Sequence, residues 1–281
     1  MYFGYFCREY LYNKVKEMTE IPKCPKCGVD EPMDSQTRYI SDSKVFHGEI
    51  PFIMGTRMEI LIVGTDEAKA ASIWSALHER VIFLDRMLNR FDPESEVSRV
   101  NQEPKTDGPD MSDELEHLIK LATDYNSRTL GLFDIHTQDG GLDFGGFAKG
   151  YFLRECKRLL RENGVECAFV DFGGSSILGI GHHPYGDCWK VGVVDPYTRS
   201  QVDEVCICNE SMSTSGNSPA YEGHIRNPRT GDRCMDRKMV TIVADDPLDA
   251  EVLSTAFMVA QDEEIPIILN NFAGIRHYTK S

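Results

Sequence analysis

The chain of 281 residues has no surplus of positive charge: 30 Lys and Arg stand against 45 Asp and Glu, a formal net charge of −15. Proteins that grip nucleic acid release counterions with clustered Lys and Arg, so this balance argues against that class and predicts that any phosphate site is local and assisted by a metal ion. Long apolar runs are missing too: no stretch approaches the ~20 residues that span a bilayer, and no membrane partner is expected. The opening MYFGYFCREYLYNKVKEM lacks the basic start, apolar core and small-residue cleavage site of a secretory leader, which predicts a cytoplasmic protein. Neither GxGxxG nor GxxxxGK[ST] occurs, so there is no dinucleotide fingerprint and no P-loop. A second CxxC to match Cys24 and Cys27 is also absent, which favours free loop thiols there over structural zinc. The nine cysteines are odd in number and scattered, and without a leader they are expected to be reduced.

What is present suits one large domain or two small ones with a real core, since 41% of the residues are hydrophobic. Residues 1–45 are polar and broken by turn residues and read as an extension; the remainder, 46–281, reads as the folded domain. VFHGEIPFIMGTRMEILIV (45–63) reads as two strands bent at Gly55. The next segment carries Ile73, Leu77, Val81, Leu84 and Leu88 at helical spacing behind a cap at Thr65 or Asp66. Asp113 and Glu116 resemble a capping box for a second helix to about Asn126, and a third runs from Lys149 to Asn163 with Gly164 closing it. Five short strands (CAFVDFG, SILGIG, WKVGVV, VCICN, MVTIVA) follow, then a last helix from Pro247 to Ala260. The expected class is α+β, with mixed, largely antiparallel sheet packed with amphipathic helices.

Three stretches carry chemistry. LDFGGFAKGY (142–151) sets Asp143, two glycines and Lys149 ahead of a helix whose first N–H groups lack partners, an arrangement suited to pyrophosphate, though Asp143 also reads as a plain cap. In DAEVLSTAFMV, helical spacing brings the oxygens of Glu251, Ser254 and Thr255 onto neighbouring parts of one face, a donor set that a hard cation such as Mg²⁺ prefers; the alternative is a solvated helix with hydroxyls bonded to its own carbonyls. STSGNSPAYEGHIRNPRTG (213–231) reads as mostly loop and groups His224, Arg226 and Arg229; a loop His can serve as a general base or do nothing.

Together with FIMGT (52–56), RFDPESEVSRVN (90–101), FDI (133–135) and VDFGGS (170–175), these stretches resemble, in order, the ApbE family of FAD:protein FMN transferases, over about residues 46–275. The resemblance implies that FMN is moved from FAD to a Thr or Ser hydroxyl of an acceptor protein, with AMP released and Mg²⁺ required. Hydrolysis of FAD to FMN and AMP, or a non-catalytic flavin- or nucleotide-binding relative, are the alternatives. It further implies that Met54, Phe91, Asp143, Lys149 and, through its backbone, Cys234 contact FAD. Gly146 (by its carbonyl), Glu251, Ser254 and Thr255 would hold the metal, and His224 would be the base. Departures accompany the matches. Glu251 replaces the usual metal Asp, Asn227 replaces an Asp, and only HTQDGG stands where relatives insert a long flavin-contacting segment. No acceptor sequence for flavinylation is evident within the chain.

Overall fold

The computed structural model describes residues 35–102, 111–219 and 221–280. Cys7, Cys24 and Cys27, and with them the choice between free thiols and zinc, lie outside the described residues. The strands are β1 (Gln36–Ile40), β2 (Val45–Ile53), β3 (Thr56–Val63), β4 (Cys167–Phe172), β5 (Ser176–Ile180), β6 (Trp189–Val194), β7 (Gln201–Ile207), β8 (Ser211–Gly216), β9 (Met239–Ala244) and β10 (Arg276–Lys280). The helices are α1 (Glu67–Leu88), α2 (Glu96–Gln102), α3 (Asp113–Arg128), α4 (Ala148–Glu162), α5 (Pro247–Val259) and α6 (Glu264–Leu269).

Eight strands form one sheet in the order β1-β2-β3-β4-β5-β8-β9-β10, and β6 and β7 form a separate ribbon. All these pairings are antiparallel, as the hairpin-like spacing of the strands predicts. One sheet face alternates inward through Met58, Ile60 and Ile62 on β3 and Ala168, Val170 and Phe172 on β4 to meet the helices. The approach is close enough that a Cβ on Gly48 would lie 2.7 Å from the Trp74 ring of α1. Ile177, Met212 and Val243 on the opposite face are roofed by Trp189, Val191, Val205 and Ile207 of the ribbon.

Local chemistry explains most boundaries. Asp66 caps α1 by accepting from the Lys69 amide at 3.0 Å, and Gly164, with φ +65°, ends α4. The cap of α3 is Ser112, which accepts from the Leu115 amide at 3.2 Å; Asp113 is the first helical residue instead of the cap. Strand β8 extends through 213–216, where a loop is expected, because its inward positions are Ser211 and Ser213, whose hydroxyls bond Ile177 O and Glu251 instead of packing as apolar groups. The helix 247–259 is not the last element, since α6 and β10 follow it. β1, inside the segment read as an extension, pairs with β2 from Gln36↔Glu49 to Ile40↔Val45. The expectation of reduced thiols fails at one place: Cys188 and Cys206 form a disulfide across the start of β6 and the end of β7. Cys206 is registered opposite Lys190, so Cys188, just before β6, meets it diagonally with Cα atoms 5.7 Å apart, a proximity that scattered spacing in the sequence does not reveal.

Candidate active site

Two tight turns at one end of the sheet frame the site. Met54 and Gly55, with φ 47° and 76°, join β2 to β3, and Gly173 and Gly174, with φ 72° and 69°, join β4 to β5. These left-handed pairs match the twist of the strands they connect. The turns touch: a Cβ on Gly173 would fall 2.5 Å from Thr56 Oγ1. The second turn aims Ser175 and Ser176 at α4, where Lys149 Nζ donates to both hydroxyls at 2.8 Å.

Glu251 completes that cluster from α5. Its side chain is 6% exposed; Oε2 accepts from Ser176 at 2.7 Å and Ser213 at 2.9 Å, and Oε1 lies 3.3 Å from Lys149 Nζ. A buried carboxylate requires such company, because leaving water uncompensated costs several kcal/mol. Helix α5 is buried instead of solvated, but the other half of that alternative holds, since the Ser254 and Thr255 hydroxyls donate back to Glu251 O at 3.0 and 3.3 Å. Gly150 is where α4 and α5 meet, a Cβ there lying 2.5 Å from Glu251 Cβ. One turn on, Thr255 Oγ1 would contact a Cβ on Gly146 at 3.2 Å. Ser254, fully buried, sits behind them with Oγ 2.8 Å from Ser215 and 3.0 Å from Glu251 O. Glu251, Thr255 and Gly146 are thus brought together with Lys149 in one all-oxygen-and-ammonium group, and their donor chemistry fits a hard divalent cation.

Asp143 is no helix cap. The N-cap of α4 is Phe147, which has no side-chain bond, and Asp143 instead accepts from the Gly145 amide at 2.8 Å and pairs with Arg90 at 2.8 Å. Arg90 also lies over Phe91, whose ring is 75% exposed and free to stack. A polar cleft of about 200 Å³ lined by Arg90, Ser98, Asn101, Gln102, Thr137, Asp139 and Gly141 adjoins this pair. The segment 136–141 is a tight turn closed by the His136↔Leu142 bridge and by Thr137 N donating to Gly141 O at 2.9 Å. Asp171, beside the Gly173–Gly174 turn, has its carboxyl pushed above the ordinary range by burial, against the pull of the Gly174 amide, Arg57 and Lys149.

His224 lies on a separate hairpin. Its Nδ1 is 2.8 Å from Tyr221 O, a pure acceptor, so Nδ1 carries the proton and Nε2 offers a lone pair to solvent. The hairpin is anchored by buried Asn217, which donates to Cys234 O and Asp236 O at 2.8 Å and accepts from Gly223 N at 2.9 Å. Cys234 faces inward, its Sγ 3.5 Å from Met258 O. Arg229 ties the turn to Leu130 O and Glu264. Arg90, Ser175, Ser176, Ser213, Ser215 and Asn217 were not singled out from the sequence. They sit inside recognised stretches, but nothing local marks which long-range partner each hydroxyl or amide serves.

An eight-stranded antiparallel sheet with helices on one face and a ribbon on the other is the fold of known flavin transferases. The flavinyl transferase ApbE of Pseudomonas stutzeri superposes with a TM-score of 0.70 at 20% identity, over 88% of this chain and 92% of that one. The ApbE protein of Thermotoga maritima gives 0.68 at 22% identity, over 86% and 93%. The sequence profile described as the ApbE family matches residues 54–140 and 136–278, and the chain belongs to that family. Among curated relatives, an FAD:protein FMN transferase of Klebsiella pneumoniae (strain 342) is 22% identical over 272 residues, 75% of this chain and 77% of the relative. One of Treponema pallidum (strain Nichols) is 33% identical over 156 residues, 48% of this chain and 42% of the relative.

Proposed function

We propose that the chain is an Mg²⁺-dependent FAD:protein FMN transferase. The observation that carries this reading is the convergence of Lys149, Glu251, Thr255 and Gly146 at the start of α4. Glu251 Oε1, Thr255 Oγ1 and the Gly146 carbonyl would hold the cation, with Ser215 linking the Ser254 and Thr255 hydroxyls behind them. The bound ion would neutralise charge on the pyrophosphate as it builds.

The Lys149 ammonium steadies phosphate oxygens, whereas the first amide of α4, that of Ala148, is already taken by Phe144 O at 2.9 Å. Asp143, fixed by Arg90, borders the cofactor, with Met54 and Phe91 on the flavin side and the Cys234 backbone at the far wall. His224 Nε2 takes the proton of the incoming Thr or Ser hydroxyl. The hydroxyl oxygen forms its bond to the FMN-side phosphorus as the bond from that phosphorus to the bridging oxygen breaks, and AMP leaves with the electron pair. With no acceptor present, water takes the same place and FAD is hydrolysed.

The test is AMP formation from FAD by the purified chain with Mg²⁺ or EDTA. Metal-dependent AMP that falls at least a hundredfold in Glu251→Ala supports the site; AMP released by that variant at the wild-type rate rules it out.

A further inference from the structure

Strand β2 carries polar groups on the sheet face away from Glu251. Gly48 faces α1, where a Cβ would lie 2.7 Å from the Trp74 ring, and Phe46 and Ile50 are buried on the same side. Alternation along the strand therefore turns His47 and Glu49 to the opposite face, where both are partly exposed. The register sets Glu49 directly opposite Glu59 of β3 and His47 opposite Leu61, diagonal to Glu59. One ligand atom from each of His47, Glu49 and Glu59 lies within 4.8 Å of the other two. The apolar cluster under the ribbon draws on β4, β5, β8 and β9, so this group stands beside that roof.

Like charges directly opposite each other destabilise a strand pair, and Glu59, with a side chain only 11% exposed, gets little screening from water. Arg57 Nη1 donates to Glu59 Oε1 at 2.7 Å, and its Nη2 lies 3.6 Å from Asp171 Oδ2. Asp171 is registered opposite Glu59 on β4, so one guanidinium stands against three carboxyl groups in a row across three strands. On the other side, β1 sets Arg38 opposite His47 and the neutral Gln36 opposite Glu49. An ionised carboxylate accepts at about four lone-pair positions, so the Arg57 bond leaves Glu59 able to take a cation as well. That bond also fixes the carboxylate's orientation, as the outer partners of metal-bound carboxylates do.

We propose that His47, Glu49 and Glu59 form a divalent-cation site for Zn²⁺, separate from the group at Glu251. An imidazole joined to two carboxylates suits zinc, whereas the all-oxygen set at Glu251 suits Mg²⁺. Donors about 2.1 Å from a tetrahedral ion stand about 3.4 Å apart, a contraction that rotation of the two glutamate side chains supplies. Three protein donors leave the fourth position to water. The ion offsets the repulsion between Glu49 and Glu59 and staples β2 to β3, the pair whose turn carries Met54 and Gly55.

The experiment titrates the chelator-stripped full chain with Zn²⁺ against a chromophoric chelator, with Mg²⁺ in large excess, and records thermal melts with and without Zn²⁺. The wild type is expected to bind one equivalent that Cys24→Ser with Cys27→Ser, and separately Glu251→Ala, leave in place, and to melt higher when that equivalent is bound. His47→Gln and Glu49→Gln, both at partly exposed positions, should each weaken it at least about tenfold and lose the Zn²⁺-dependent rise in Tm. Without metal, Glu49→Gln should melt at or above the wild type, because the facing charges are gone; this separates a lost ligand from a damaged fold. No such equivalent, or one that both His47→Gln and Glu49→Gln leave unchanged, overturns the site. Neither outcome bears on AMP release from FAD, so the transferase reading is tested apart from it.

Discussion

Glu251 is a carboxylate that its own helix could not keep buried alone. Four residues separate it from Thr255, and that periodicity was visible in the sequence; the hydroxyls of Ser176 and Ser213 that make burial tolerable come from strands 75 and 38 positions away and left no periodic mark. Removing the cation should therefore hurt twice. Lys149→Ala is expected to lower stability by about 2–4 kcal/mol by stranding Glu251, and to reduce AMP formation a hundredfold or more. Urea denaturation and turnover, measured together, check both effects. Gly150→Ala places a methyl against Glu251 Cβ and 3.1 Å from Pro247 O, where backbone cannot yield easily. A loss of about 1–3 kcal/mol is expected in the same denaturation experiment, unlike the small gain that alanine gives in an open helix.

Among the elements, the hairpin 224–234 depends on one side chain. Asn217→Ala removes three bonds from a buried position, so a loss of about 1–3 kcal/mol is expected, along with faster hydrogen exchange confined to 222–236. Unchanged exchange there would show that the hairpin holds itself. Helix α1 supports the other wall, because the Met54 amide donates to Asp85. Burial raises the Asp85 carboxyl above its ordinary value, with the Met54 amide opposing. An acid raised in the folded state contributes stability that is present below its unfolded value, near pH 3.8, and lost as pH rises through the folded value. Asp85→Asn keeps an acceptor for Met54 and cannot ionise. The stability of the variant relative to wild type should thus increase from about pH 4 upward, measured by thermal melts across the acid range.

At the scale of the molecule, hairpin-like spacing made the antiparallel sheet legible, and apolar periodicity gave α1 and α4. The neighbours β5 and β8 were not legible as such, since the whole ribbon intervenes and their pairing is fixed by packing on both faces. Nor was β10, a short polar strand with no apolar alternation. The Cys188–Cys206 bond closes a loop with a sequence separation of 18. Its reduction is expected to cost about 3 kcal/mol on loop-entropy grounds, read as a lower unfolding midpoint with dithiothreitol that Cys206→Ser reproduces and dithiothreitol does not lower further.

Strand β10 has a consequence unrelated to catalysis. Its five residues, RHYTK, are mostly exposed, yet they cover β9, MVTIVA, in which every residue is buried and none is charged. A chain ending at residue 275 would present that uncharged, β-prone strand as an open margin, a template on which a second molecule could add its own. The last turn of chain thus serves as the sheet's selvedge, keeping the molecule from weaving itself to its neighbours. Light scattering of the shortened chain should rise with time and concentration where the full chain stays clear.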